Sequence, residues 1–337
     1  MLTMGMTLVL AENIELMNGS YLAGPEADEA GGVVIAPDRT IVYGGLLAQQ
    51  DLGQTPTALL GGGDGVVVRF GEEGNTVLSL TRLPGKVEDI DIDRETGNIA
   101  VIGSFGSALL SADASSVLWR TSQVNTSNSA TLNGSEGRRI AVGTGGVVGV
   151  LLDKKFYVYS SSGELLGSGT MPHDHVNDIA VDAANEQVII AADDNEHTGY
   201  EPVRIAVVKA FSYTGSLRWK SFGYEAQSLH TQNFQSQADT KGVLVSMGRD
   251  GNLYFAGESA GGNTIFRYNG LDLETTTIVT GDEYNHAYNT ASAHIAYFAR
   301  LSPENGEVQK GKLLLARLNS GKGNTVNPYA ITADSEG

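Results

Sequence analysis

Ile90-Asp91-Ile92-Asp93-Arg94-Glu95-Thr96-Gly97-Asn98-Ile99-Ala100-Val101-Ile102-Gly103 alternates apolar and polar residues as far as Asp93. It then turns through Gly97-Asn98 and returns as an apolar run closed by glycine. That order describes a strand, a tight turn and a second strand. Aspartates alternating over so short a distance also suggest an oxygen-rich calcium loop, but such a loop must curl its carboxylates around one ion. On a strand the same alternation sends the isoleucines to the core and the aspartates to one solvent face.

The unit recurs on both sides. Val33-Val34-Ile35-Ala36-Pro37-Asp38 runs to Ile41-Val42-Tyr43-Gly44-Gly45, Arg139-Ile140-Ala141-Val142 into Val147 to Leu152, Ile179-Ala180-Val181-Asp182 into Val188 to Ala192, and Val243-Leu244-Val245 into Leu253-Tyr254-Phe255-Ala256-Gly257. Behind each lies a second hairpin, at Val66 to Leu80, Ala108 to Trp119, Phe156 to Leu166, Val207 to Trp219 and Ala296 to Leu315. Their first four turns, at Gly74, Ser115, Gly163 and Gly215, are about 41, 48 and 52 residues apart, the interval of one four-stranded propeller blade.

The predicted fold class is therefore all-β: a β-propeller of four-stranded antiparallel blades, about five of them visible within residues 31–337, after an N-terminal segment 1–30. The last interval, Gly215 to Gly306, is about 91 residues long. Either Thr264 to Gly270 begins a hidden blade, or residues have been inserted at about 222–241 and 262–293. No further first-half motif lies between them, which favours insertions. Tyr329 to Gly337 reads as the first strand and turn of a partial sixth blade. A half-built blade exposes a sheet edge, so either Thr7 to Ser20 supplies ring-closing strands or the chain is a fragment of a longer one. The fragment is preferred.

The 39 acidic residues outnumber 22 basic ones, for a formal charge of -17. That balance repels nucleic acid and anionic membrane surfaces. With no cysteine there is no disulfide, thiolate nucleophile or thiolate zinc site. Met1 to Ala11 is apolar but lacks a basic n-region and a small-x-small cleavage site, and it is too short to insert across a membrane. There is no G-x-S-x-G elbow, H-E-x-x-H helix or phosphate loop ending in Gly-Lys-Ser/Thr. Gly61-Gly62-Gly63-Asp64-Gly65 leads into a strand rather than a helix N-terminus, so it is an inter-strand loop.

Arg249-Asp250-Gly251-Asn252-Leu253-Tyr254-Phe255-Ala256-Gly257, Ser162-Gly163-Glu164-Leu165-Leu166 and Thr214-Gly215-Ser216-Leu217-Arg218-Trp219 together resemble bacterial SBBP-type and PQQ-like β-propeller repeats, over about residues 31–337. The resemblance implies an extracellular or cell-surface bacterial protein serving as a scaffold or binding module. Quinoprotein relatives hold their cofactor in the central channel, and no position here matches their ligands, so no cofactor is expected. Ser111-Ala112-Asp113-Ala114-Ser115-Ser116-Val117-Leu118-Trp119 resembles the Asp-box hairpin of sialidases, with Ser115 at the glycine position and Trp119 one residue late. That box is structural.

Two constellations remain as chemistry. His173-Asp174-His175 has the i, i+2 spacing that places two imidazoles on one side of a strand, with His197 across a loop. Histidines beside a turn are more often plain surface residues, and no metal is expected. Gly281-Asp282-Glu283-Tyr284-Asn285-His286-Ala287-Tyr288-Asn289-Thr290 mixes rings with carboxylate, amide and imidazole, a mixture suited to sugar or peptide recognition. The ligand-binding candidates are therefore Asp282, Tyr284, His286 and Tyr288, with His230 of the other insertion on the same face. The expected role is a non-enzymatic binding or scaffold module for a carbohydrate or protein partner. The alternative is a channel-mouth enzyme of the lyase, glycosidase or quinoprotein type.

Overall fold

The computed structural model describes residues 22, 26, 28–48, 50–121, 137–196, 203–225, 227–229, 238–277, 294–320 and 323–337. Five sheets follow one another along the chain, antiparallel throughout save for the short β3, which pairs parallel to β5 in the first. Blade one contains β1 (Asp28–Ile35), β2 (Ile41–Leu47), the short β3 (Thr57–Ala58), β4 (Gly65–Phe70) and β5 (Val77–Leu83) in the order β1-β2-β4-β5-β3. Blade two is β6 (Val87–Ile92), β7 (Ile99–Gly103), β8 (Gly106–Leu110) and β9 (Val117–Thr121). Blade three is β10 (Arg138–Gly143), β11 (Val147–Leu152), β12 (Lys155–Tyr159) and β13 (Leu165–Thr170). Blade four is β14 (His175–Asp182), β15 (Gln187–Glu196), β16 (Val203–Ser212) and β17 (Leu217–Phe222). Blade five is β18 (Thr240–Met247), β19 (Leu253–Ser259), β20 (Ile295–Leu301) and β21 (Val308–Leu314).

The first strands of the blades pack in series, β1 on β6, β6 on β10, β10 on β14 and β14 on β18. This is the radial arrangement of a β-propeller, with the first strands innermost. Among the described residues no comparable packing joins β18 to β1.

A blade sandwiched between two neighbours buries apolar residues on both faces. Ile90 and Ile92 of β6 are 5% and 3% exposed and pack with Val87 and Val42 towards blade one. Among the described residues blade one has no such neighbour on its far side. There Val33 and Ile35, the β1 residues matching Ile90 and Ile92, are 60% and 58% exposed. Further out on blade one, Leu22 packs against the cluster of Leu47, Val66, Val68 and Leu80.

The outer hairpins share one construction. A glycine with positive φ, Gly74, Gly163, Gly215 or Gly306, turns the chain, and the register slips by one residue just before it. In blade two that place belongs to Ala114 (φ 58°), whose N–H donates to the Ser111 carbonyl as Gly74 does to Gly71. The expectation that Ser115 holds the glycine position is thus corrected by one residue. Asp113 locks the turn, accepting from the Ser111 hydroxyl (2.6 Å), the Ser115 N–H (3.1 Å) and the Ser115 hydroxyl (2.8 Å). These bonds, the Ser111 hydroxyl foremost, hold its carboxyl down at about 2.

β19 pairs directly with β20, so residues 260–294 form an excursion within blade five. It contains a 3-10 turn at Ile265–Arg267 and a bridge between Tyr268 and Thr276. The other long connection, residues 223–239, joins β17 to β18 between blades. After β21 come β22 (Ala316–Arg317) and β23 (Gly323–Asn324), which pair only with each other. Tyr329 to Gly337 holds no strand, contrary to the partial-blade expectation. It runs beside blade five, where the Arg249 N–H donates to the Ala333 carbonyl (3.1 Å).

Candidate functional site

The axial side of the innermost strands carries a row of carboxylates. Asp89 on β6 accepts the Ile140 N–H of β10 at 2.9 Å, and Asp91 accepts the Val142 N–H at 2.7 Å. Two blades on, Asp178 of β14 accepts the Val245 N–H of β18 at 2.9 Å. Asp89 and Asp91 also accept the N–H of the following residue, Ile90 at 3.0 Å and Ile92 at 2.8 Å. The carboxylates therefore satisfy inner-edge amides that no neighbouring strand reaches.

Arg139 of β10 stands between two of them, with Nε 3.9 Å from Asp178 Oδ1. Glu88 and Asn177 lie one residue earlier, at bulges in β6 and β14, and reach the same next blade. Glu88 pairs with Arg138 in a buried ion pair, and Asn177 Nδ2 donates to the Gly242 carbonyl.

The expected solvent face of aspartates is thus overturned. Asp89, Asp91 and Asp178 keep a sliver of solvent contact but are crowded by protein on all sides. Burial pushes Asp91 up to about 6 and Asp178 up to about 7, against the pull of their N–H donors and, for Asp178, of Arg139. Asp89 is raised by burial as well, with Arg139 opposing.

A second group lies where blades four and five meet. Asp193 of β15, fully buried, accepts from Arg204 Nε of β16 and from Asn177 Nδ2 at 3.0 Å. His175 Nδ1 is 2.9 Å from Asp193 Oδ2 but out of line for a hydrogen bond. Burial raises the Asp193 pKa, with Arg204 opposing. The Arg204 N–H donates to Asp239 Oδ1 at 2.8 Å, tying the start of β16 to the approach to β18. Beside it Glu258 Oε2 receives His294 Nδ1 at 3.1 Å and Lys241 Nζ at 3.5 Å. Arg204, Asp239, Lys241, Glu258, Ala260 and His294 line a cleft of about 120 Å³ between the blades. Arg204 is the second residue of β16, and Asp239 and His294 immediately precede β18 and β20.

The two sequence-predicted constellations fare differently. His173 bonds Asp194 while His175 contacts Asp193. Adjacent residues of one strand face opposite ways, so the two imidazoles go to opposite sides of the sheet and do not share one face. Burial lowers the pKa of His173, with the Asp194 contact opposing. His197 lies outside the described residues, as do Asp282, Tyr284, His286, Tyr288 and His230. Among the described residues no three His, Asp or Glu side chains group to hold a metal ion, and no helix is long and apolar enough to cross a membrane.

The inner carboxylates had a signal that the hairpin reading passed over. Val87-Glu88-Asp89-Ile90-Asp91-Ile92-Asp93 and Val176-Asn177-Asp178-Ile179-Ala180-Val181-Asp182 share the pattern V-x-D-I-x-(I/V)-D. The cleft residues have no such signature, being scattered from Arg204 to His294.

No family model and no curated protein sequence matches the chain. Among solved structures it is similar to Kuenenia stuttgartiensis hydrazine synthase, at 10% identity and a TM-score of 0.48, over 90% of this chain and 71% of that one. It is also similar to the C-terminal WD40 domain of Sif2, at 11% identity and a TM-score of 0.38, over 71% of this chain and 69% of that one. The chain is a β-propeller of about five blades.

Proposed function

We propose that this propeller is a non-enzymatic, extracellular binding or scaffold module, of the SBBP-type or PQQ-like kind, whose partner is a carbohydrate or a protein held at the junction of blades four and five. The observation that carries the reading is the cleft, whose lining includes residues at the ends of the connections from β15 to β16, β17 to β18 and β19 to β20. Loops that spring from a rigid blade edge are the usual place for recognition residues. Asp282, Tyr284, His286 and Tyr288 belong to the connection that returns at His294, and His230 to the one that returns at Asp239. The extracellular, bacterial setting rests on the repeat resemblance alone.

Glycan and protein arrays test the reading. The expected result is a partner whose binding is lost when Tyr284, His286 and Tyr288 are together replaced by alanine, with the thermal melt unchanged. Arrays without a partner, or one indifferent to that replacement, would sink it.

The second reading is a channel-mouth enzyme of the lyase, glycosidase or quinoprotein type. One observation favours it: Asp91 and Asp178 hold protons to about 6 and about 7, the range a general acid needs. Both carboxylates already serve backbone amides, which favours a structural use. A quinone absorption band in the purified protein, or turnover of uronate polymers or glycosides lost in Asp178→Asn, would reverse that preference.

A further inference from the structure

Resting on the binding-module reading above, we infer that the cleft between blades four and five recognises the vicinal hydroxyls of a neutral sugar, rather than an anion. Arg204 and Lys241 bring donors, and Asp239 and Glu258 bring acceptors, around the same small opening. Their formal charges cancel, and Asp193 behind them adds a further carboxylate bound to Arg204. A cleft with no surplus of positive charge offers little to a phosphate or a lone carboxylate.

The polar valences are mixed in kind. Arg204 spends Nε on Asp193, leaving the outer edge of a side chain that is 24% exposed. Asp239 uses Oδ1 for the Arg204 N–H, and Glu258 takes both Lys241 and His294 on Oε2. The Oδ2 of Asp239 and the Oε1 of Glu258 are the second acceptor of each pair. His294 engages Glu258 through Nδ1, which leaves Nε2 for the opening. A hydroxyl both donates and accepts, so neighbouring hydroxyls on a ring match alternating donors and acceptors better than any single-charge ligand does. The Arg204–Asp193 and Lys241–Glu258 pairs within each blade, with the Arg204 N–H bond to Asp239 between them, hold these groups in position before a ligand arrives, which lowers the ordering cost of binding.

The full chain, isotope-labelled, would be titrated by NMR with methyl glycosides of glucose, galactose and mannose, and separately with glucuronate and with glutamate. At least one neutral glycoside is expected to shift the His294 ring signals saturably, those signals being assigned by their loss in His294→Asn. Glu258→Gln and, independently, Lys241→Ala should each weaken that titration tenfold or more with an unchanged melt. Should no neutral glycoside move the His294 signals, or only glucuronate or glutamate do so, the inference is overturned. A protein partner found on arrays alongside silent glycoside titrations would end this inference and leave the binding-module reading standing. Silence in both experiments would end both.

Discussion

Asp178 shows how one side chain can serve the fold and tax it at once. Its carboxylate accepts the Val245 N–H from the next blade, yet burial holds its pKa up at about 7. The folded state therefore keeps a proton that the unfolded chain, with the ordinary aspartate value of 3.8, has released. The native form binds more protons between those values, so stability falls as pH rises from about 4 to about 7 and is level above. The size is on the order of 2–4 kcal/mol for a shift this large. Asp178→Asn retains an oxygen for the Val245 amide and removes the proton linkage. Denaturant melts from pH 5 to pH 8 should show the variant losing less stability than the parent over that interval, and parallel curves would refute the assignment. Asp178→Ala, which strips the amide of its acceptor, should cost about 1–3 kcal/mol at pH 5. Turn carboxylates such as Asp38 and Asp113 run the other way. Their lowered pKa values lend stability that is full above the ordinary aspartate value and is lost as the pH falls from there through the folded value.

At the scale of elements, each tryptophan of the chain is stacked on a turn of another blade. A Cβ on Gly163 would come within 2.7 Å of the Trp119 ring, and one on Gly306 within 2.5 Å of the Trp219 ring. Trp219 Nε1 also donates to the Pro303 carbonyl at 2.8 Å. Both glycines have positive φ, so Gly163→Ala and Gly306→Ala combine backbone strain with a clash against a large ring. Each should destabilise by about 2–4 kcal/mol in a urea melt, as overpacking and left-handed strain predict. A loss below half a kilocalorie would show that the turns can yield. These hairpins were legible because turn glycines recur at blade-length intervals, and the match fails only at Ala114, which is held at positive φ in a turn locked by Asp113. The carboxylate row was not legible, for a physical reason. Period-two reading assumes one buried and one wet face, whereas a radial blade is covered on both, so the polar face of β6 meets β10 instead of water. Lys241, Glu258 and His294 converge through strand pairing within blade five and Arg204 through blade packing, and no local spacing encodes either.

For the whole molecule, the uneven covering of blade one makes a sharp comparison. Val33→Thr with Ile35→Thr should cost under about 1 kcal/mol, while Ile90→Ala or Ile179→Ala, buried between blades, should cost about 2–5 kcal/mol. Equal losses in calorimetry would mean that the β1 face is covered in solution. The charge of -17 acts on the entire body. Raising salt from 0.01 to 0.15 M shortens the screening length from about 30 to about 8 Å and should raise the melting temperature by relieving self-repulsion. A flat response would mean that the charges are already locally neutralised. The carboxylate clasps described above also have a direction, since Asp89, Asp91 and Asp178 each reach forward to a residue about 50 or more positions later. During synthesis, then, every acceptor leaves the ribosome before the amide it will hold, and a finished blade offers the next one a waiting handhold from its first strand onward.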